Sequence, residues 1–138
     1  MKPVMQDKFG LGGNCLSACI ASLLELPLSE VPSFHGDFPE NTAEDNPEAV
    51  EVFWANVHRF LNARGYGMFH MDVDSPEDIK FMSGYFLIGG KSPRGYSHSV
   101  IYTKEGLAHD PHPEGGDVEI SSISIVYPFF DGVYHASN

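Results

Sequence analysis

Between Lys8 and Arg59 the chain carries no lysine or arginine, while Glu25, Glu30, Asp37, Glu40, Glu44, Asp45, Glu48 and Glu51 fall in that interval. The formal net charge is −11, so a phosphate backbone would be repelled and nucleic acid is not an expected partner. Cysteine is scarce as well. The 2 cysteines, Cys15 and Cys19, stand one helical turn apart, a placement that does not give bridge geometry. That argues against a disulfide framework and for a reducing compartment. No apolar run reaches the ~18 residues needed to cross a bilayer, and Met1–Gln6 lacks the apolar core of a signal peptide. The expectation is a soluble, cytoplasmic protein with no membrane partner.

What the chain does contain is enough apolar material to fold. Hydrophobic residues make up 42%, with 10 Phe and 6 Tyr, which fits a globular core and excludes disorder. Residues 1–138 read as one domain. Cys15–Leu26 carries Leu16, Cys19, Ile20, Leu23 and Leu24 at helical spacing, with Asn14 as N-cap and Pro27 beyond the end. Pro27–Asn46 is loop, with a short turn around Ser29–Pro32. A second helix opens at Asn46–Pro47, carries Val50, Phe53, Trp54, Val57, Phe60 and Leu61 on one apolar face, and ends at Gly65. A strand over Tyr66–Met71 and a short helix from Ser75 to about Met82 follow. The strand-like runs Tyr85–Gly89, His98–Thr103, Leu107–Asp110 and Val118–Tyr127 are separated by turn residues. Met68, Phe69, Met71 and Trp54 read as core. Helices first and sheet second is an α+β pattern.

Cys15 occupies an unusual place in "GLGGNCLSACIASLL". It stands behind a glycine-rich turn at the first position of a helix, beside free amide hydrogens and the positive end of the helix dipole. Such a place lowers a thiol pKa and supplies donors to an anion. Cys19, inside the apolar stripe, serves as an inert control. A nucleophilic thiol needs a base, and the base needs an orienting group. The tight loop at Lys104–Gly106 makes His98–Thr103 and Leu107–Asp110 antiparallel neighbours, which places His98 and Asp110 roughly level across the ladder. Gln6 could offer its side-chain amide to an oxyanion alongside the Cys15 backbone amide.

The order Gln6, then Cys15 at a helix start in "GNCLSACIASLL", then His98 in "SHSVIY", then Asp110 in "HDPHP", resembles the papain-like cysteine peptidases, and most closely their compact C39-type branch. The resemblance spans Gln6 to about Tyr127. It implies a cysteine-bearing helix packed on an antiparallel sheet, with Cys15 as nucleophile, His98 as general acid/base, Asp110 as orienting residue and Gln6 in the oxyanion hole. Gln6 stands further ahead of Cys15 than that family usually shows, and Gly10, Gly12 and Gly13 could absorb the extra length. A small stand-alone domain of this kind would suit a bacterial or phage protein.

The expected activity is thiol hydrolysis of a peptide, isopeptide or other amide through an acyl-enzyme, with a peptide or protein substrate. If the Pro27–Asn46 loop borders the cleft, its acids would favour a cationic peptide or a lysine-bearing tail; otherwise they form a solvated face. A papain-like domain kept as a binding or inhibitory module is the alternative from another class. A metal site built from His98, His109, Asp110 and His112 is a third reading. It is disfavoured because C-x₂-C and HExxH spacings are missing and neighbouring strand positions face opposite ways. Gly10–Gly13 lacks the Lys–Ser/Thr pair of a phosphate loop. No cofactor and no metal are therefore expected.

Overall fold

Two α-helices precede five strands in the computed structural model, which describes residues 1–129. The last residues of the expected 1–138 domain lie outside the described ones. The second helix (α2, Pro47–Ala63) starts as its spacing predicts: the Asn46 side chain accepts from Ala49 N at 3.0 Å and Pro47 takes the first position. The first helix (α1, Cys15–Leu24) ends two residues short of the expected Leu26, because Glu25 turns left-handed at φ 57°. It is also buried on all sides from Leu16 to Ser22, not along one stripe. Ser17, Ala18, Ala21 and Ser22 allow neighbours to approach closely. Their hydroxyls are satisfied internally, Ser17 Oγ by Pro32 O at 2.8 Å and Ser22 Oγ by Ala18 O at 2.8 Å.

The strands are β1 (Tyr66–Asp72), β2 (Phe86–Lys91), β3 (Ser97–Thr103), β4 (Gly106–His109) and β5 (Glu119–Pro128). They form one antiparallel sheet in the order β1-β5-β2-β3-β4. The protein is thus α+β, two helices packed on a five-stranded antiparallel sheet. One face of the sheet presents Met68, Leu87 and Ile101 to Ile20, Val57 and Leu61 of the helices. The other presents Phe86, Ile88, Val100 and Ile123 to Ile79, from the 3₁₀ turn Pro76–Phe81. No helix among the described residues is long and apolar enough to cross a membrane.

Two details correct the sequence reading. Phe69 and Met71, expected in the core, are 54% and 44% exposed. They alternate with Met68 and His70 on β1, which is an edge strand, so their side chains face away from the helices. Trp54 is only partly buried and lines the cleft described below. A register shift at Gly89–Gly90, where β2 meets β5, is possible only with glycine at position 90. A Cβ there would collide with the Glu119 carbonyl oxygen.

Candidate active site

The chain reaches Cys15 through a 3₁₀ turn, Gly10–Gly12, whose first residue has φ +74°. That left-handed conformation explains why a glycine stands there. Asn14 occupies the N-cap position but does not cap α1 with its side chain, contrary to the sequence expectation. Its Oδ1 instead accepts from Asp7 N at 3.1 Å and Lys8 N at 3.0 Å, and its Nδ2 donates to Asp7 Oδ1 at 2.7 Å. The cap is given up to pin the segment that carries Gln6, and this closes the long Gln6–Cys15 interval around the glycine turn. The first amides of α1 are consequently left free of the Asn14 side chain.

Cys15 is half-buried and Cys19 fully buried, both as free thiols. Burial pushes the Cys15 thiol up, against hydrogen bonds from the Ser99 amide and hydroxyl and from the Leu16 and Cys15 amides. The net direction is upward, so the depressed thiol expected from the helix start alone is corrected: desolvation outweighs the donors. Cys19 is pushed well above its ordinary value by burial, then by Cys15 and Asp110, in keeping with an inert thiol. Ser99 was not singled out by the sequence, yet it serves both cysteines. Its amide and hydroxyl face Cys15 and its carbonyl accepts from Cys19 Sγ at 3.3 Å. A Ser99→Ala variant is expected to raise the Cys15 thiol further and slow its alkylation at pH 7 by about two- to tenfold, the worth of one hydrogen bond. Peptide mapping after timed iodoacetamide quenches reads this directly.

His98, on β3, is 6% exposed. Its Nε2 lies 2.7 Å from Asp110 Oδ1, just past the end of β4, with both side chains buried. The two residues do meet, but not level across the ladder as expected. Ile101 pairs with His109 and the register shifts beside it, so Asp110 reaches His98 diagonally from beyond the strand end. Nδ1 is the ring nitrogen left for a thiol. Asp110 also accepts from His112 N at 2.9 Å and from Asp117 N at 3.1 Å. Burial pushes the Asp110 carboxyl up, but the bonds from His98, His112 and Asp117 outweigh it and hold the carboxyl below its ordinary value. Asp117 is itself held by Tyr102, whose hydroxyl donates to Asp117 Oδ2 at 2.5 Å. Burial and that carboxylate keep the phenol far above its ordinary range, so it remains a donor.

Gln6 is 7% exposed. One hydrogen of its Nε2 goes to Lys8 O at 2.8 Å, which leaves a second, while its Oε1 is buried with no partner among the described residues. Two cavities meet at this point. A cleft of about 730 Å³ and a smaller one of about 130 Å³ are both lined by Gly13, Cys15, Ser97 and His98, and the smaller adds Gln6, Arg94 and His112. The Pro27–Asn46 loop does border the larger cleft, through Phe34, Phe38 and Glu44. Glu44 ties that loop across to β3 by accepting from Ser97 N at 2.7 Å. The structure therefore brings Cys15, His98, Asp110 and Gln6 into one neighbourhood.

His109 points elsewhere, to Val4 O at 2.8 Å. Among the described residues no group of three or more His, Cys, Asp or Glu is arranged to hold a metal ion. No family model matches the chain, and no curated protein or solved structure matches it.

Proposed function

We propose that the protein is a thiol hydrolase of papain-like design, a peptidase, isopeptidase or amidase, with Cys15 as nucleophile. The observation that carries the reading is the buried His98–Asp110 pair. His98 is bound through Nε2, which leaves its other ring nitrogen without a partner among the described residues, and it lines the same two cavities as a cysteine at the first position of a helix. The Cys15 sulfur attacks the amide carbonyl carbon as its proton passes to His98 Nδ1. The Cys15 amide and the second hydrogen of Gln6 Nε2 receive the oxyanion. His98 then returns the proton to the amine as the C–N bond breaks, which leaves a thioester. Water gives one proton to His98 and attacks the thioester, and the sulfur leaves to be protonated again, releasing the acid. Peptides with cationic residues suit the larger cleft, where Glu44, Asp72 and Glu119 outnumber Lys91 among the described Lys, Arg, Asp and Glu residues that line it.

One observation favours a second reading, a papain-like binding module without turnover. Burial raises the Cys15 thiol, so at rest the sulfur is protonated. Acyl transfer separates the two. Brief incubation with 4-nitrophenyl acetate and acid quenching should give a burst of nitrophenol and a +acetyl mass on Cys15, followed by slow loss of the adduct. The burst should be absent in Cys15→Ala and unaffected by Cys19→Ala. Equal acetylation of both cysteines, or of neither, leaves the module reading standing.

A further inference from the structure

The smaller cavity carries a charge pattern that the nucleophile and its base do not use. Among the described residues Arg94, in the turn Ser92–Tyr96 between β2 and β3, is the only lysine or arginine that lines it, and no Asp or Glu does so. Its guanidinium donates from Nη1 to Gly115 O at 2.8 Å, which fastens the turn to the loop after Asp110. Nη2 is buried and has no partner among the described residues. A buried guanidinium nitrogen without an acceptor is costly, and among the described residues it is the one buried side-chain donor nitrogen or oxygen left so.

His112 lines the same cavity, its ring edge-on to Phe9 at 5.1 Å and to His98 at 6.1 Å. The Glu114 amide donates to His112 Nδ1 at 3.0 Å. Nδ1 is therefore the acceptor and the ring proton sits on Nε2, a second donor. Burial, then the Arg94 charge, holds the His112 imidazole below its ordinary value and keeps that neutral tautomer. The volume of about 130 Å³ is well under the roughly 300 Å³ of a complete ligand pocket. It admits one small group beside the reacting carbonyl.

We propose that this cavity is a carboxylate subsite: the substrate carries a carboxylate about one small residue from the scissile carbonyl, received by Arg94 Nη2 and the His112 Nε2 hydrogen. The inference rests on the thiol-hydrolase reading and narrows its substrate class. The two cavities then differ in sign, acids lining the larger cleft and a guanidinium the smaller, so an extended substrate has one orientation across Cys15. A peptide C-terminus and an acidic side chain share the chemistry required.

Two alkylating reagents that differ in charge test the idea on the full chain. Iodoacetate and iodoacetamide deliver nearly isosteric groups to the same sulfur, and mass spectrometry reads the rate at Cys15 and at Cys19. The iodoacetate-to-iodoacetamide rate ratio should be higher at Cys15 than for free cysteine. Arg94→Gln should lower that ratio by about 10- to 100-fold, the worth of charge-assisted hydrogen bonds, and Arg94→Lys should lower it less. A ratio that Arg94→Gln does not move overturns the subsite and leaves the hydrolase reading intact. If neither reagent prefers Cys15 over Cys19 in the wild type, the hydrolase reading fails first and takes the subsite with it. Should Arg94→Gln unfold, visible as new labelling of Cys19, protection of wild-type Cys15 decides. N-acetylglycine should protect where N-acetylglycinamide does not, which indicates a terminal carboxylate; protection only by the side-chain carboxylate of N-acetylaspartic acid α-methylamide indicates an acidic residue. Equal protection by the neutral amide, or none by any of the three, overturns the proposal.

Discussion

A His98→Ala variant is expected to lose Cys15 reactivity at neutral pH and regain it only in alkaline solution. The thiol is raised by burial, so without an acceptor nearby its thiolate fraction at pH 7 falls below the few per cent of a free cysteine with pKa about 8.5. On the proposed mechanism the wild-type proton would pass to His98 as the sulfur attacks, and no standing thiolate would be needed. The loss in acyl transfer should be on the order of 10²- to 10⁴-fold, the usual range for a positioned acid–base group. The measurement is the pH dependence of iodoacetamide alkylation at Cys15, with Cys19 as internal reference in each digest. Wild-type and variant profiles that superimpose would sink the acid–base role of His98. A wild type reactive near pH 7 beside a variant displaced upward in pH would establish the pair.

Helix position alone points the wrong way for Cys15, whose thiol burial pushes up. The sequence places the sulfur at a helix start, and the helix does begin there. What the sequence does not carry is the burial around it. Leu16 to Ser22 are enclosed on every side, and desolvation outweighs the amides. Local spacing was enough to put His98 and Asp110 near each other, because a tight hairpin joins their strands, but not to give their register, which shifts beside Ile101 and leaves the two off level. Ser99 faces Cys15 across a helix–sheet contact, and Arg94 reaches its cavity from a separate turn. Neither relation has a local sequence signature. Asn14 gave a genuine cap signal, yet its side chain was drawn to Asp7 and Lys8. Phe69 and Met71 looked like core by composition, but strand parity on an edge decided their exposure.

Asp110 should matter for both rate and stability, and the two effects separate by variant. Its carboxylate accepts from three donors: His98 Nε2 and His112 N at Oδ1, and Asp117 N at Oδ2. Asparagine can keep Oδ1 toward His98 and His112 by placing its amide at the Oδ2 position, losing the Asp117 bond and the negative charge. Asp110→Asn should therefore fold, at a cost of about 1–3 kcal/mol for the opposed donors. Its acyl-transfer rate should fall on the order of 10²- to 10⁴-fold, because the imidazolium formed on His98 loses its stabilising charge. Asp110→Ala leaves all three donors without an acceptor and should cost more stability than Asn. The pH dependence gives an independent check. The folded carboxyl binds its proton less tightly than the unfolded one, so its contribution is present above the ordinary carboxylate value of about 3.9 and fades as pH falls through the lower folded value. Urea midpoints of wild type and Asp110→Asn should accordingly differ most near pH 7 and draw together as pH falls through the lowered folded carboxyl value. A gap that stays constant from neutral to acid pH would show that Asp110 acts through packing, and the charge-based account of its link to His98 would have to be given up.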